Sequence, residues 1–345
     1  MLKLAIVILN WNGAEMLQKY LPSVMSSSQM EGVQIIVADN ASSDNSVAML
    51  KHNFSQIPVI SLDENYGFAG GYNKALRQIE AEYYLLLNSD VEIKKQRWVE
   101  PLLNYMDQHK EVAACQPKIR YLLQPDMFEY AGAAGGMIDR DGFPFCRGRI
   151  FNTIENDHGQ YDGVTDVQWC AGCSLLVRSK DYWSVGGLDE RFFAHSEEID
   201  LCWRLRLAGH RLVCISDTEV FHLGGATLQQ GNPQKTFLNF RNNLLMLYKN
   251  LPEEELKDVM RRRMWLDYLA ALQMLLKFQW NHFRAVIRAR KAFQNMKKEF
   301  SSDREKIQQG RTANSMPDRC NFSIIWQYHV LRRRLFSHLQ FPSNQ

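Results

Sequence analysis

Short, continuously apolar runs separated by helical periodicity organise the first part of the chain. Leu4 to Leu9 is one such run, Val33 to Ala38 a second, Pro58 to Leu62 a shorter third, and Tyr83 to Leu87 a fourth. Runs of this length, bounded by polar and turn residues, read as strands buried on both faces of a parallel sheet. An amphipathic stretch to about Ser26, a helix capped near Ser46 and another through about Glu80 lie between them. Alternating strand and helix predicts an α/β fold, in which ligands bind beyond the carboxyl ends of the strands.

Two runs end on a carboxylate at that edge, Asp39 and Asp90. On these residues alone Asp90 has two readings, a helix cap or a group that holds a metal and through it a phosphate. Asp44, inside the loop Asn40 to Ser46, reads as a cap, and Asp39 as the better ligand contact. Glycines 67, 70 and 71 open a helix whose N-terminus suits an anion. Their spacing is not that of a dinucleotide fingerprint and follows the third strand, which argues against a nicotinamide enzyme.

Together, Ile-Leu-Asn-Trp-Asn-Gly at the first strand, Ala-Asp-Asn-Ala-Ser-Ser-Asp-Asn-Ser at the second, Asn-Tyr-Gly-Phe-Ala-Gly-Gly-Tyr-Asn and Leu-Leu-Asn-Ser-Asp-Val resemble glycosyltransferase family two, in its rhamnosyltransferase-like branch. The resemblance covers roughly Leu2 to Tyr248. It implies a GT-A fold, a Rossmann-like mixed or parallel sheet flanked by helices. It also implies a nucleotide-diphospho-sugar donor, a divalent cation (Mg or Mn) and inversion at the anomeric carbon. The family's Asp-x-Asp reads Asn88-Ser89-Asp90 here, so Asp90 inherits the cation and Asn88 offers only an amide oxygen. By the same resemblance Asp39 contacts the nucleoside, with Asn10, Asn65, Gly67 and Asn73 along the donor pocket.

Beyond a helix from Lys94 and a strand at Val112 to Gln116, periodicity is lost until about Asp166. Glycines and aromatics there suggest loops and short strands, the usual place for acceptor contacts, with Arg147 and Arg149 able to steer an anion. Cys170-Ala-Gly-Cys173 has half-site spacing, but no second pair accompanies it, so packing is the better reading.

Glu197, Glu198 and Asp200 crowd the first turn of a helix that Ser196 can cap and Gly209 stops. Carboxylates suit a helix N-terminus, yet three on one turn raise one another's pKa, as a general base requires. The family's Glu-Asp-x-Asp-Leu aligns here, which implies Glu198 as base and Glu197 as its neighbour at the acceptor; Asp200 and Arg204 form an i,i+4 pair. His222, alone an ordinary structural histidine, becomes through the resemblance a second cation ligand beside Asp90.

The chain has 345 residues, 46% hydrophobic, enough for about two domains: a catalytic domain over 1–250 and a basic amphipathic helical extension over 251–345. No signal peptide or spanning segment is indicated, and seven scattered cysteines suit a reducing compartment, so a cytoplasmic protein is expected. Charge is uneven. Lys249 to Gln345 holds 19 Lys or Arg against 9 Asp or Glu, net +10, leaving 22 against 29, net −7, for the rest. Met264 to Trp280, flanked by arginines 261–263 and by Arg284 to Lys298, fits a helix at an anionic membrane interface or a hairpin packed on the body. The acidic body argues against nucleic acid.

The implied reaction has Glu198 deprotonate a hydroxyl of a glycan or lipid-linked acceptor as it attacks the donor sugar. A nucleotidyltransferase also sets carboxylates at strand tips, but its phosphate loop would occupy Asn10 to Gly13.

Overall fold

The computed structural model describes residues 1–224, 231–312 and 319–341. The four apolar runs become β1 Leu2–Asn10, β2 Val33–Asp39, β3 Val59–Ser61 and β4 Ala81–Asn88. Helices α1 Ala14–Ser27, α2 Ser46–Asn53 and α3 Gly67–Leu76 connect them. The third helix stops four residues short of the expected Glu80. All four strands pair in parallel, in the order β3–β2–β1–β4. Leu4 to Val7 have no exposed surface, as a strand covered on both faces requires.

Beyond β4 the parallel pattern ends. The chain continues through β5 Val91–Glu92, α4 Glu100–Gln108 and β6 Val112–Tyr121. A small separate sheet follows, of β7 Gly136–Ile138, β8 Pro144–Cys146, β9 Arg149–Ile150 and β10 Thr153–Ile154. Next come β11 Val164–Asp166, β12 Ser174–Arg178, α5 Ser179–Ser184, α6 Glu197–Leu207 and β13 Arg211–His222. The main sheet runs β11–β13–β6–β12–β4–β1–β2–β3, with β5 added to β13. Because β12 is antiparallel to both β4 and β6, the sheet is mixed, and β4 is parallel on one side only.

Helices α7 Pro233–Asn250, α8 Glu253–Leu276, α9 Trp280–Met296 and α10 Ser301–Gly310 follow. The apolar stretch from Met264 is thus one arm of a hairpin whose second arm lies on α7. Val259, Phe293 and Phe300 join the main hydrophobic cluster, and Arg304 Nη1 donates to the carbonyls of Tyr248 and Leu251, both at 2.6 Å. No helix among the described residues is long and apolar enough to cross a membrane. All seven cysteines are buried and none forms a disulfide. Arg149, expected to be exposed, is buried beside Cys146 and over the Tyr130 ring, while Arg147 donates to the Ala134 carbonyl.

Candidate active site

Strand register sets the site. Asn10 pairs with Asp39, Leu9 with Asn88, and Asp39 with Ser61, so these tips end at one level along the carboxyl edge. From the opposite direction His222 pairs with Val91, which carries the end of β13 to the residue after Asp90.

At that junction His222 Nε2 lies 3.1 Å from Asp90 Oδ1 and 3.2 Å from Asn88 Nδ2. Turning the Asn88 amide over would present its oxygen, the atom through which it could serve a cation. His222 Nδ1 stands 3.3 Å from Glu129 Oε1, and Glu129 Oε2 accepts from the Ala131 N–H at 2.5 Å. Burial alone would lower the imidazole, but Cys173, Asp90 and Glu129 outweigh it and raise His222 well above its ordinary value. Burial likewise works to raise Asp90, and the imidazolium with the Gly224 N–H overcomes it and holds the carboxyl low.

Whether these residues fit a divalent cation turns on the donor set. Asp90 and His222 offer a carboxylate oxygen and an imidazole nitrogen, mutually within hydrogen-bond reach and both buried, a mixture that suits Mg or Mn. Among the described residues no group of three or more His, Cys, Asp or Glu could hold a metal. The pair therefore fits an ion whose remaining ligands come from a bound phosphate and water.

The expected donor residues divide. Asn10 is buried, donates to Asp39 Oδ1 (2.9 Å) and Ser42 Oγ (3.1 Å), and keeps a buried Oδ1 without a partner. That oxygen is an open acceptor beside Asp39, whose Oδ2 takes the Ser42 N–H. Asn65 Oδ1 accepts from Gly67 N and from Asn40 Nδ2, so it shapes the start of α3. Asn73 does not fit the donor lining it was assigned. Its amide donates to the Leu188 carbonyl and Glu190 and accepts from Tyr182 and Leu188, so the segment 182–190 consumes it.

The start of α3 also departs from the anion site its glycines suggested. Phe68 N donates to the Phe193 carbonyl at 2.7 Å, and a Cβ on Gly67 (φ +68°) would sit 2.5 Å from the Phe193 ring. A Cβ on Gly71 would meet Leu9 at 2.8 Å. Close approach is what these glycines permit, as expected, but by the protein itself. Asp44 behaves as read, accepting from the N–H groups that open α1 (Ala14) and α2 (Ser46).

The loop before α6 brings Phe193, His195 and Ser196 to φ of 65°, 73° and 70°. Non-glycine residues pay for that conformation, and Asn242 secures it, its Nδ2 facing the carbonyls of Phe192, Ala194 and His195 at 2.7–3.0 Å. Ser196 occupies the cap position without a side-chain cap bond. Glu197 is buried and Glu198 half-buried, and each carries a buried Oε2 lacking a partner. Burial first, then Glu198 and Asp200, raise Glu197 well above the carboxylate range. Burial also lifts Glu198 to about 7, against the N–H groups of the helix start. The third acid is structural: Asp200 accepts from Arg204, Lys249 and Asn250 at 2.7–2.9 Å.

One short segment joins the two centres. A Cβ on Gly172 would lie 3.6 Å from Glu198 Cβ, while the Cys173 thiol is near enough to His222 for the imidazole to work against the burial that raises it. The Cys-x-x-Cys thus packs, as read, between α6 and the Asp90–His222 pair. Sequence reasoning missed Glu129 and Asn242; neither lies in a pattern that marks it.

Residues 5–173 match the model of Glycosyl transferase family 2. The N-acetylglucosaminyl-diphospho-decaprenol L-rhamnosyltransferase of Mycobacterium tuberculosis is 25% identical over 241 residues, 64% of this chain and 75% of that protein. Rhamnosyltransferase WbbL of Escherichia coli is 28% identical over 63% of this chain and 82% of its own. The O-antigen biosynthesis protein RfbC of Myxococcus xanthus is 24% identical, and the match spans only 17% of its length. Among solved structures, GalNAc-T7 with UDP, GalNAc and Mn2+ superposes with a TM-score of 0.60 at 14% identity, over 98% of this chain and 58% of that one. TarS 1–349 of S. aureus in complex with UDP gives 0.52 at 15% identity, over 91% and 90%.

Proposed function

We infer that the chain, whose residues 5–173 match Glycosyl transferase family 2, is a glycosyltransferase of the hexosyltransferase class on a GT-A fold, and we propose an inverting transfer from a nucleotide-diphospho-sugar to an acceptor hydroxyl. The observation that carries the reading is Glu198, half-buried on the first turn of α6 with its carboxyl lifted to about 7, joined through Gly172 and Cys173 to Asp90 and His222. A base poised near neutral pH takes a hydroxyl proton without being permanently protonated or too weak. Glu198 Oε2 would accept that proton as the acceptor oxygen attacks the anomeric carbon, and Glu197, protonated and buried, would orient the acceptor. Asn10 and Asp39 would receive the nucleoside.

A divalent cation, Mg or Mn, held by Asp90 and His222 would supply positive charge for the departing nucleoside diphosphate. The rhamnosyltransferase relatives favour dTDP-rhamnose as donor, and the decaprenol in one relative's name favours a lipid-linked oligosaccharide acceptor in surface polysaccharide assembly. Such an acceptor puts the enzyme at the cytoplasmic face of an anionic membrane. The test is release of nucleoside diphosphate from uridine, thymidine and guanosine diphospho-sugars offered with a prenyl-diphosphate glycan. A product of retained configuration, or release unaffected by Glu198→Gln, would sink the mechanism.

A further inference from the structure

The α8–α9 hairpin buries only one stripe of its first arm: Val259, Arg263, Asp267 and Ala271. The opposite face exposes Trp265, Tyr268, Leu269, Leu272 and Leu276, each between 45% and 71% open, and the turn adds Phe278 at 80% and Trp280 at 54%. Seven large apolar side chains in one ridge exceed what scattered surface residues explain. Tryptophans stand near both ends of the ridge, the placement favoured where an apolar layer meets headgroups.

Charge at the tip of the hairpin and along its second arm is one-sided. No Asp or Glu occurs from residue 268 to 298. Lys277, Arg284, Arg288 and Lys291 are exposed. Arg263 and Arg290, in contrast, both reach Asp267, which is fully buried. The Arg290–Asp267 pair ties α9 to α8, Arg263 pairs with Asp267 within α8, and both arginines are unavailable to a partner. The hairpin is accordingly preformed, so binding need not pay for folding it.

Resting on the lipid-linked acceptor proposed above, we propose that the α8–α9 tip is a lipid-docking surface. Its ridge from Trp265 to Trp280 enters the headgroup layer, and Lys277, Arg284, Arg288 and Lys291 meet anionic phospholipid. Charge complementarity selects this occupant. A second copy docked through the same patch would set an acid-free cationic rim against itself, which is unfavourable.

Full-length protein is sedimented with vesicles of phosphatidylcholine alone and of phosphatidylcholine mixed with phosphatidylglycerol. Parent protein should pellet with the mixed vesicles and much less with the neutral ones. Trp265→Ser/Phe278→Ser and Lys277→Glu/Arg284→Glu should each stay in the supernatant with unchanged melting temperature. Each lost cation should weaken partition about five-fold. Turnover on a short water-soluble acceptor should be kept. Variants that pellet like the parent overturn the proposal, as does a parent that dimerises in light scattering through this ridge without binding vesicles. If vesicles are bound normally but no donor supports transfer, the enzymatic reading fails and the docking surface stands.

Discussion

Glu129 faces the Nδ1 atom of His222 at 3.3 Å, on the side of the ring opposite Asp90. Nδ1 makes no hydrogen bond among the described residues, yet a carboxylate on that side favours the Nδ1–H form and so leaves Nε2 as the ligand, the usual arrangement behind a metal-binding histidine. Glu129→Gln should weaken Mn binding, measured by titration calorimetry with nucleoside diphosphate present, by about 10–100-fold. Asp90→Ala should remove cation-dependent nucleotide binding altogether. Unchanged nucleotide affinity in Asp90→Ala with Mn present would refute the shared-cation assignment.

Glu197 and Glu198 diverge by about 100° on the helix, so only one of them can point squarely at an acceptor hydroxyl. Glu198→Gln should lower the maximal rate by roughly two to four decades with donor affinity kept. The parent's rate should rise through an acid limb near pH 7, where Glu198 loses its proton. Glu197→Gln should chiefly raise the acceptor KM. If Glu197→Gln does the greater harm to the saturated rate, the roles are exchanged.

These raised carboxyls also cost stability. Unfolded, a glutamate titrates near 4.5, whereas folded Glu198 keeps its proton to about 7 and Glu197 is likewise raised by burial and by its neighbour Glu198. Between those values the folded state binds more protons, so stability falls as pH rises. Glu197→Gln should therefore melt higher than the parent at alkaline pH, the gap closing as pH falls toward the ordinary glutamate value of 4.5. A gap independent of pH in melting curves would contradict this account.

Asp200 makes a contrasting case, a buried acid whose charge is fully met by Arg204 and Lys249. Removing one partner from such a network leaves buried charge uncompensated, so Asp200→Ala should lose about 3–5 kcal/mol in denaturant unfolding. A loss under about 1 kcal/mol would mean that Asn250 and solvent suffice.

The strands were legible because burial on both faces leaves an unbroken apolar run, as Leu4 to Leu9 shows. Asp39, Asp90 and His222 were legible through motif and strand-end position. Side-chain direction was not. Asn73 follows the glycines as a donor residue should, yet its amide faces the 182–190 segment, a matter of tertiary packing. Glu129 lies where no periodicity marks it, and its position depends on the turn at Ala131. The hairpin bend was hidden too. Its left-handed residue is Phe278 at φ +58°, with neither Gly nor Pro to announce it.

The Phe193 carbonyl already fills the mouth of α3, where a bare helix would greet a phosphate. A donor bound as proposed would then leave its negative charge toward Asp90 and His222 instead of at this helix. The same hydrogen bond ties the glycine helix to the loop that leads into Glu198. Under the reading proposed above, a tilt of α3 on nucleotide binding would reach the loop before Glu198 through that bond, which would favour donor first and acceptor second.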